Sequence, residues 1–143
     1  MQDETLNKHQ GGMERDFEEI EGAVLDSEGM KEICLAFKRA NDLVDGQEVE
    51  IHQMRVIVLD EGTTPVSPEG THQDGFDHIA MIGINRENIK GGALMGFANK
   101  EDQVPFVEKE LCAGDMVMID DSKLWHNARD IWSINKGEPA YGD

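Results

Sequence analysis

From Glu48 onward the hydrophobic period of this chain is two, and that constrains its fold more than any other feature. Val49, Ile51, Gln53, Arg55 and Ile57 share one face of an extended backbone, while Glu50, His52, Met54, Val56 and Val58 share the other. The spacing predicts a strand over 48–58. Short strand-like segments recur near 72–84, 89–97, 104–108, 115–120 and 124–134, divided by turns such as Asn85–Asn88 and Ala113–Asp115. Asp60 to Gly70 is a Pro- and Gly-punctuated loop. Many short strands at regular spacing predict a mainly β fold, a sandwich or jelly-roll barrel.

Only one segment ahead of this region is helical in pattern. Met30, Ile33, Cys34 and Phe37 fall at i, i+3, i+4 and i+7, with Asp26 or Ser27 placed to cap the first turn. The expected helix covers 26–42, and residues 1–25 read as an irregular lead-in with one short helical turn. With 143 residues there is room for one domain and one core. The expected organisation is therefore a single domain over 1–143, with its β core at 48–134.

Charge removes several partner classes. Thirteen Lys and Arg face thirty Asp and Glu, a net charge of -17, which repels nucleic acid and anionic membranes. No apolar run approaches the ~20 residues of a membrane span. The first residues lack the basic-then-apolar pattern of a secretion signal, so a cytoplasmic location is the default expectation. Cys34 and Cys112 lie far apart and outside any ligand-pair motif, and read as reduced thiols packed as small apolar residues.

The chemistry concentrates in Pro68-Glu-Gly-Thr-His-Gln-Asp-Gly-Phe-Asp-His78. His72 and Asp74 are two apart, so an extended backbone presents an imidazole and a carboxylate on one face. His126 follows a second strand-like segment and a tight polar turn, and is the candidate for a third ligand. Two His and one carboxylate leave open positions on a metal, the arrangement used by non-haem Fe(II) oxygenases. A bare His-x-Asp with a distant His also arises among unrelated surface or core histidines.

Other residues have two readings each. Arg55 either binds a carboxylate of co-substrate or substrate through its planar fork, or forms a structural pair with an acidic neighbour. His52 reads as structural and His9 as solvated. His78 is a candidate supporting residue for the metal site, Asp77 either orients an imidazole or is a turn residue, and Asp120 and Asp121 read as turn formers. Trp125 and Trp132 read as core aromatics. Asn85 with Gly91 and Gly92 either shapes a substrate mouth or makes a simple turn.

These motifs together carry a resemblance. His52-Gln-Met-Arg-Val-Ile57, Pro68 to Asp77, Ile84-Asn-Arg-Glu-Asn-Ile-Lys-Gly-Gly92, and Gly114-Asp with Ile119-Asp-Asp and His126 are similar to the 2-oxoglutarate/Fe(II) dioxygenases that hydroxylate free amino acids, the isoleucine-dioxygenase-like group. Gly11-Gly-Met-Glu-Arg-Asp-Phe17 resembles that family's lead-in. The resemblance implies a double-stranded β-helix of the jelly-roll, cupin-like kind, with His72, Asp74 and His126 as iron ligands. It also implies decarboxylation of 2-oxoglutarate coupled to hydroxylation of a C–H bond. In that family an Arg on a strand soon after the distal His salt-bridges 2-oxoglutarate. Here Arg129, three residues past His126, is the one Arg after the triad, at a shorter spacing. The sequence reaches Tyr141-Gly-Asp143 about where the family's strand begins, so an incomplete barrel is expected.

The leading expectation is thus an Fe(II)/2-oxoglutarate-dependent dioxygenase acting on a small molecule, a free L-amino acid by resemblance, with dioxygen as co-substrate. Arg55 and Arg129 are the candidate 2-oxoglutarate contacts. The competing readings are a catalytically silent metal-binding or assembly module and a cupin-like metalloenzyme with another co-substrate. An unpaired strand edge would favour a homodimer.

Overall fold

The computed structural model describes residues 18–59 and 62–143. Residues 1–17 of the expected 1–25 lead-in, including His9 and the Gly11–Phe17 run, lie outside them. The described residues separate into two units, one ending at Gln53 and the other running from Met54 to Asp143.

The first unit is helical. A four-residue turn, α1 (Gly22–Leu25), precedes α2 (Glu28–Ala40), within the expected 26–42. Ser27 stays extended, and its hydroxyl accepts the Met30 amide at 3.1 Å, satisfying one donor that the first turn leaves over. Glu28 in the first turn and Lys38 and Arg39 in the last complement the helix dipole. The Asn41 side chain donates to the Phe37 carbonyl and closes the last turn. Met30, Ile33, Cys34 and Phe37 are half-buried, as their spacing requires.

The second unit is built from short strands: β1 (Val56–Ile57), β2 (Thr63–Thr64), β3 (His78–Ile82), β4 (Arg86–Glu87), β5 (Ile89–Gly91), β6 (Leu94–Phe97), β7 (Val107–Lys109), β8 (Met116–Asp120), β9 (Trp125–Ala128), β10 (Ile131–Ser133) and β11 (Tyr141–Gly142). All pairings are antiparallel. They form the orders β1-β11-β4, β2-β10-β5, β3-β8 and β7-β6-β9. The architecture is mainly β, of the jelly-roll, cupin-like type, and the strands among the described residues do not close a barrel.

Three sequence expectations are corrected. The long strand over 48–58 reduces to Val56–Ile57. Val49, Met54 and Ile57 are exposed (44%, 69% and 50%), and within this segment the ladder pairing is confined to Val56 and Ile57, with Val56 and Val58 turned to the core. Trp132 is 43% exposed and is not a core aromatic. Cys112 is exposed, while Cys34 is half-buried and both are free thiols.

The core lies where the small sheets meet. Val58, Ile89, Ile131 and Ala140 form its buried cluster, with Val56 and Val66 against it. Every residue of β6 is buried. At Gly96 in that strand a Cβ would stand 2.8 Å from Val107 Cγ1, so the missing side chain is what lets β7 pack so closely. The β6 strand pairs on its other edge with β9, setting Gly96 opposite His126.

Candidate metal centre

The β9 strand carries His126 between two neighbours. On one side it pairs with β6; on the other, His126 and His72 form an isolated antiparallel bridge. Their backbones exchange both hydrogen bonds, at 2.9 and 3.0 Å. Two residues opposed in this way hold their side chains close on one face, and the imidazole centroids stand 4.3 Å apart. The bridge therefore unites the two histidines across a long sequence separation.

Asp74 enters from the same segment. The backbone leaves extended geometry at Gly75, whose φ is +90°, a conformation that glycine adopts at little cost. The Asp74 carboxylate turns onto both rings, with Oδ1 3.5 Å from His72 Nε2 and Oδ2 3.4 Å from His126 Nε2. One ligand atom from each of the three residues falls within 4.8 Å of the others. Donors bonded at about 2.1 Å to one ion sit about 3–3.5 Å apart, so this spacing suits a shared metal.

The polar accounting supports that fit. His72 Nδ1 donates to the Gly70 carbonyl at 2.8 Å, which leaves Nε2, 3.5 Å from Asp74 Oδ1, as the ring nitrogen for a metal. His72 and His126 are 6% and 5% exposed. His126 Nε2 is buried with no hydrogen-bond partner, as is Asp121 Oδ1. Buried polar atoms without partners are rare in folded proteins, and a cation shared by the imidazoles and the carboxylate answers the deficit at His126. Two nitrogens and one carboxylate oxygen are also a donor set that iron accepts.

The electrostatics agree in direction. Burial alone would lower the His126 pKa, but the Asp121 and Asp74 carboxylates outweigh it and raise the value to about 9. Burial would raise Asp74, yet His126 and His72 together hold its carboxyl well below the usual range. The site is therefore one that attracts positive charge.

Two further carboxylates border the centre. Glu69 Oε1 lies 3.1 Å from His72 Nε2, with its side chain largely buried and its other oxygen unpartnered. Asp121, read from sequence as a turn residue, is 1% exposed and lies 3.3 Å from His126 Nε2. The only signal for either was position, Glu69 three before His72 and Asp121 in the turn leading to His126. Asp120 is the turn former of that pair, accepting from Ser122 and Lys123.

Arg55 and Arg129 are each engaged by a carboxylate of their own. Arg55 makes a two-pronged pair with Asp143 at 2.6 and 2.7 Å, its guanidinium 4.2 Å from the Tyr141 ring centroid. Arg129 makes a similar pair with Glu108 at 3.0 and 3.1 Å. Arg129 also lines an open pocket of about 630 Å³ together with Glu108, Asp130, Asn127 and Ser67. Ser67 Oγ stands 3.4 Å from His72 Nδ1, and Asn127 directly follows His126.

Comparison with known proteins agrees with this geometry. The profile of the family described as 2OG-Fe dioxygenase matches residues 1–143. No curated protein shows significant similarity to the chain. Among solved structures, a bsmA homolog from Methylobium petroleophilum PM1 is similar at 22% identity, with a TM-score of 0.69 over 93% of this chain. The match spans 55% of that protein, so this chain corresponds to about half of its length.

Proposed function

The chain belongs to the 2OG-Fe dioxygenase family, and from that premise we propose that it is an Fe(II)/2-oxoglutarate-dependent dioxygenase with His72, Asp74 and His126 as iron ligands. The observation that carries the reading is the convergence of two imidazole Nε2 atoms on one carboxylate, with a buried ligand nitrogen that no protein group satisfies. Fe(II) held by His72, Asp74 and His126 would supply the redox chemistry that couples conversion of 2-oxoglutarate and dioxygen to succinate and CO2 with insertion of the second oxygen atom into a substrate C–H bond.

The protein's own residues have simpler tasks. The His72–His126 bridge fixes the separation of the two imidazoles, and the Gly70 carbonyl orients the His72 ring. Burial of both rings keeps water from their ligand nitrogens. Three protein ligands leave room for a bidentate co-substrate and dioxygen.

The substrate in this proposal is a small molecule, a free L-amino acid. Beyond the motif resemblance, the open pocket lined by Ser67, Asn127, Asp130 and the Arg129–Glu108 pair is polar, which suits a small polar molecule. The same reading takes residues 1–143 as one dioxygenase-like domain in the cytoplasm. No helix among the described residues is long and apolar enough to cross a membrane.

Anaerobic titration of the Fe(II)-loaded protein with 2-oxoglutarate, followed in the visible region, tests binding. Admission of air with a panel of amino acids should then give succinate and a product one oxygen atom heavier. The His126→Ala variant is expected to lose metal binding and turnover together. An iron-loaded wild type that converts no 2-oxoglutarate defeats the enzyme reading.

One observation favours a second reading, a silent metal-binding module. Both arginines that are candidates for the 2-oxoglutarate carboxylate, Arg55 and Arg129, are already paired with protein carboxylates. An unchanged visible spectrum on adding 2-oxoglutarate to the iron-loaded protein would favour this reading or another co-substrate.

A further inference from the structure

Asp121 is the one side chain of the described residues buried almost without remainder, at 1% exposure. A carboxylate in that position is costly unless its oxygens are satisfied. Oδ2 accepts three consecutive backbone amides, from Asp74 at 2.9 Å, Gly75 at 2.9 Å and Phe76 at 3.2 Å. Successive amides aimed at one anion form a nest, and the positive φ of Gly75 makes the nest possible. Oδ1 points the other way, 3.3 Å from His126 Nε2, and neither atom has a hydrogen-bond partner.

We propose that Asp121 is a positioning residue that assembles the metal site before an ion arrives, fixing the Asp74 turn with one carboxylate oxygen and flanking the His126 ligand nitrogen with the other. The proposal rests on the metal-centre reading above. A purely structural anchor would need only the first oxygen, and the segment already has such an anchor. The Gln73 side chain donates to the Asp121 and Leu124 carbonyls at 2.6 and 3.1 Å, tying the two segments without touching a ligand atom. What Asp121 adds is negative charge beside the ligand set and a fixed direction for the Asp74 carboxylate.

Co(II) and Zn(II) binding to the full chain, measured by calorimetry and by the visible Co(II) spectrum, tests this. Asp121→Asn keeps one oxygen for the amides but sets an NH2 against the His126 lone pair. Its Co(II) affinity is expected to fall about tenfold to a hundredfold, with an altered spectrum. Gln73→Leu, which removes the structural tie alone, should lower the melting temperature yet leave affinity and spectrum near wild type.

Equal Co(II) binding by Asp121→Asn and wild type overturns the proposal, as does an equal loss in Gln73→Leu. A third measurement needs no variant: the Asp74, Gly75 and Phe76 amides of the metal-free wild type should exchange slowly with solvent. Fast exchange that slows only on adding Zn(II) would show that the ion, not Asp121, builds the turn. A wild type that binds neither ion removes the metal-centre reading itself, an outcome distinct from all of these.

Discussion

At the scale of single residues, His126 decides how the centre behaves with pH. Its ordinary pKa of 6.5 rises to about 9, because the Asp121 and Asp74 carboxylates outweigh the burial that would lower it. A group whose pKa is higher folded than unfolded stabilises the fold fully below its unfolded value, and loses that contribution as pH passes its folded value. The metal-free protein should therefore melt at progressively lower temperature between about pH 6.5 and about pH 9. A metal competes with the proton for Nε2, so Zn(II) affinity should climb over the same interval. Thermal melts and competition titrations across that range check both slopes, and an affinity independent of pH would count against His126 as a ligand.

At the scale of elements, the strands contribute unequally. Ile131 in β10 is 2% exposed, and it pairs with Gly91 of β5 and Thr64 of β2. Truncating it to Ala should cost about 2–5 kcal/mol, from lost transfer energy and the cavity left behind. Ile57 in β1 is half-exposed, so Ile57→Thr should stay within about 0.5 kcal/mol. Urea denaturation of the two variants would reveal whether the β1 edge matters as little as its exposure says. The helix was legible because its cap, stripe and terminal charges all agree locally: Ser27 caps it, and Met30, Ile33, Cys34 and Phe37 share a face. The strand expected over 48–58 was not, because alternation shows that a segment could bury one face and cannot show whether a partner strand lies beside it. The residue paired with Val56 is Gly142, far along the chain.

At the scale of the whole molecule, charge dominates. A net charge of -17 opposes compaction through self-repulsion, and salt screens it. The melting temperature should rise on going from low to physiological ionic strength, and a fall would mean that ion pairs such as Arg55–Asp143 and Arg129–Glu108 outweigh the repulsion. The sequence by itself determined the β-rich class and the capped helix, and it offered His72, Asp74 and His126 as candidates that the family resemblance joined into one proposed centre. The class and the helix follow from hydrophobic period and capping chemistry, which are local properties, as is the His72-x-Asp74 spacing. Tertiary structure alone decided that His72 and His126 bridge, that Arg55 and Arg129 spend their forks on Asp143 and Glu108, and that Asp121 turns inward while Asp120 ends β8 and accepts from Ser122 and Lys123. Each of these depends on which distant segment lies alongside, and a carboxylate reads the same in a sequence whether it meets water or three backbone amides.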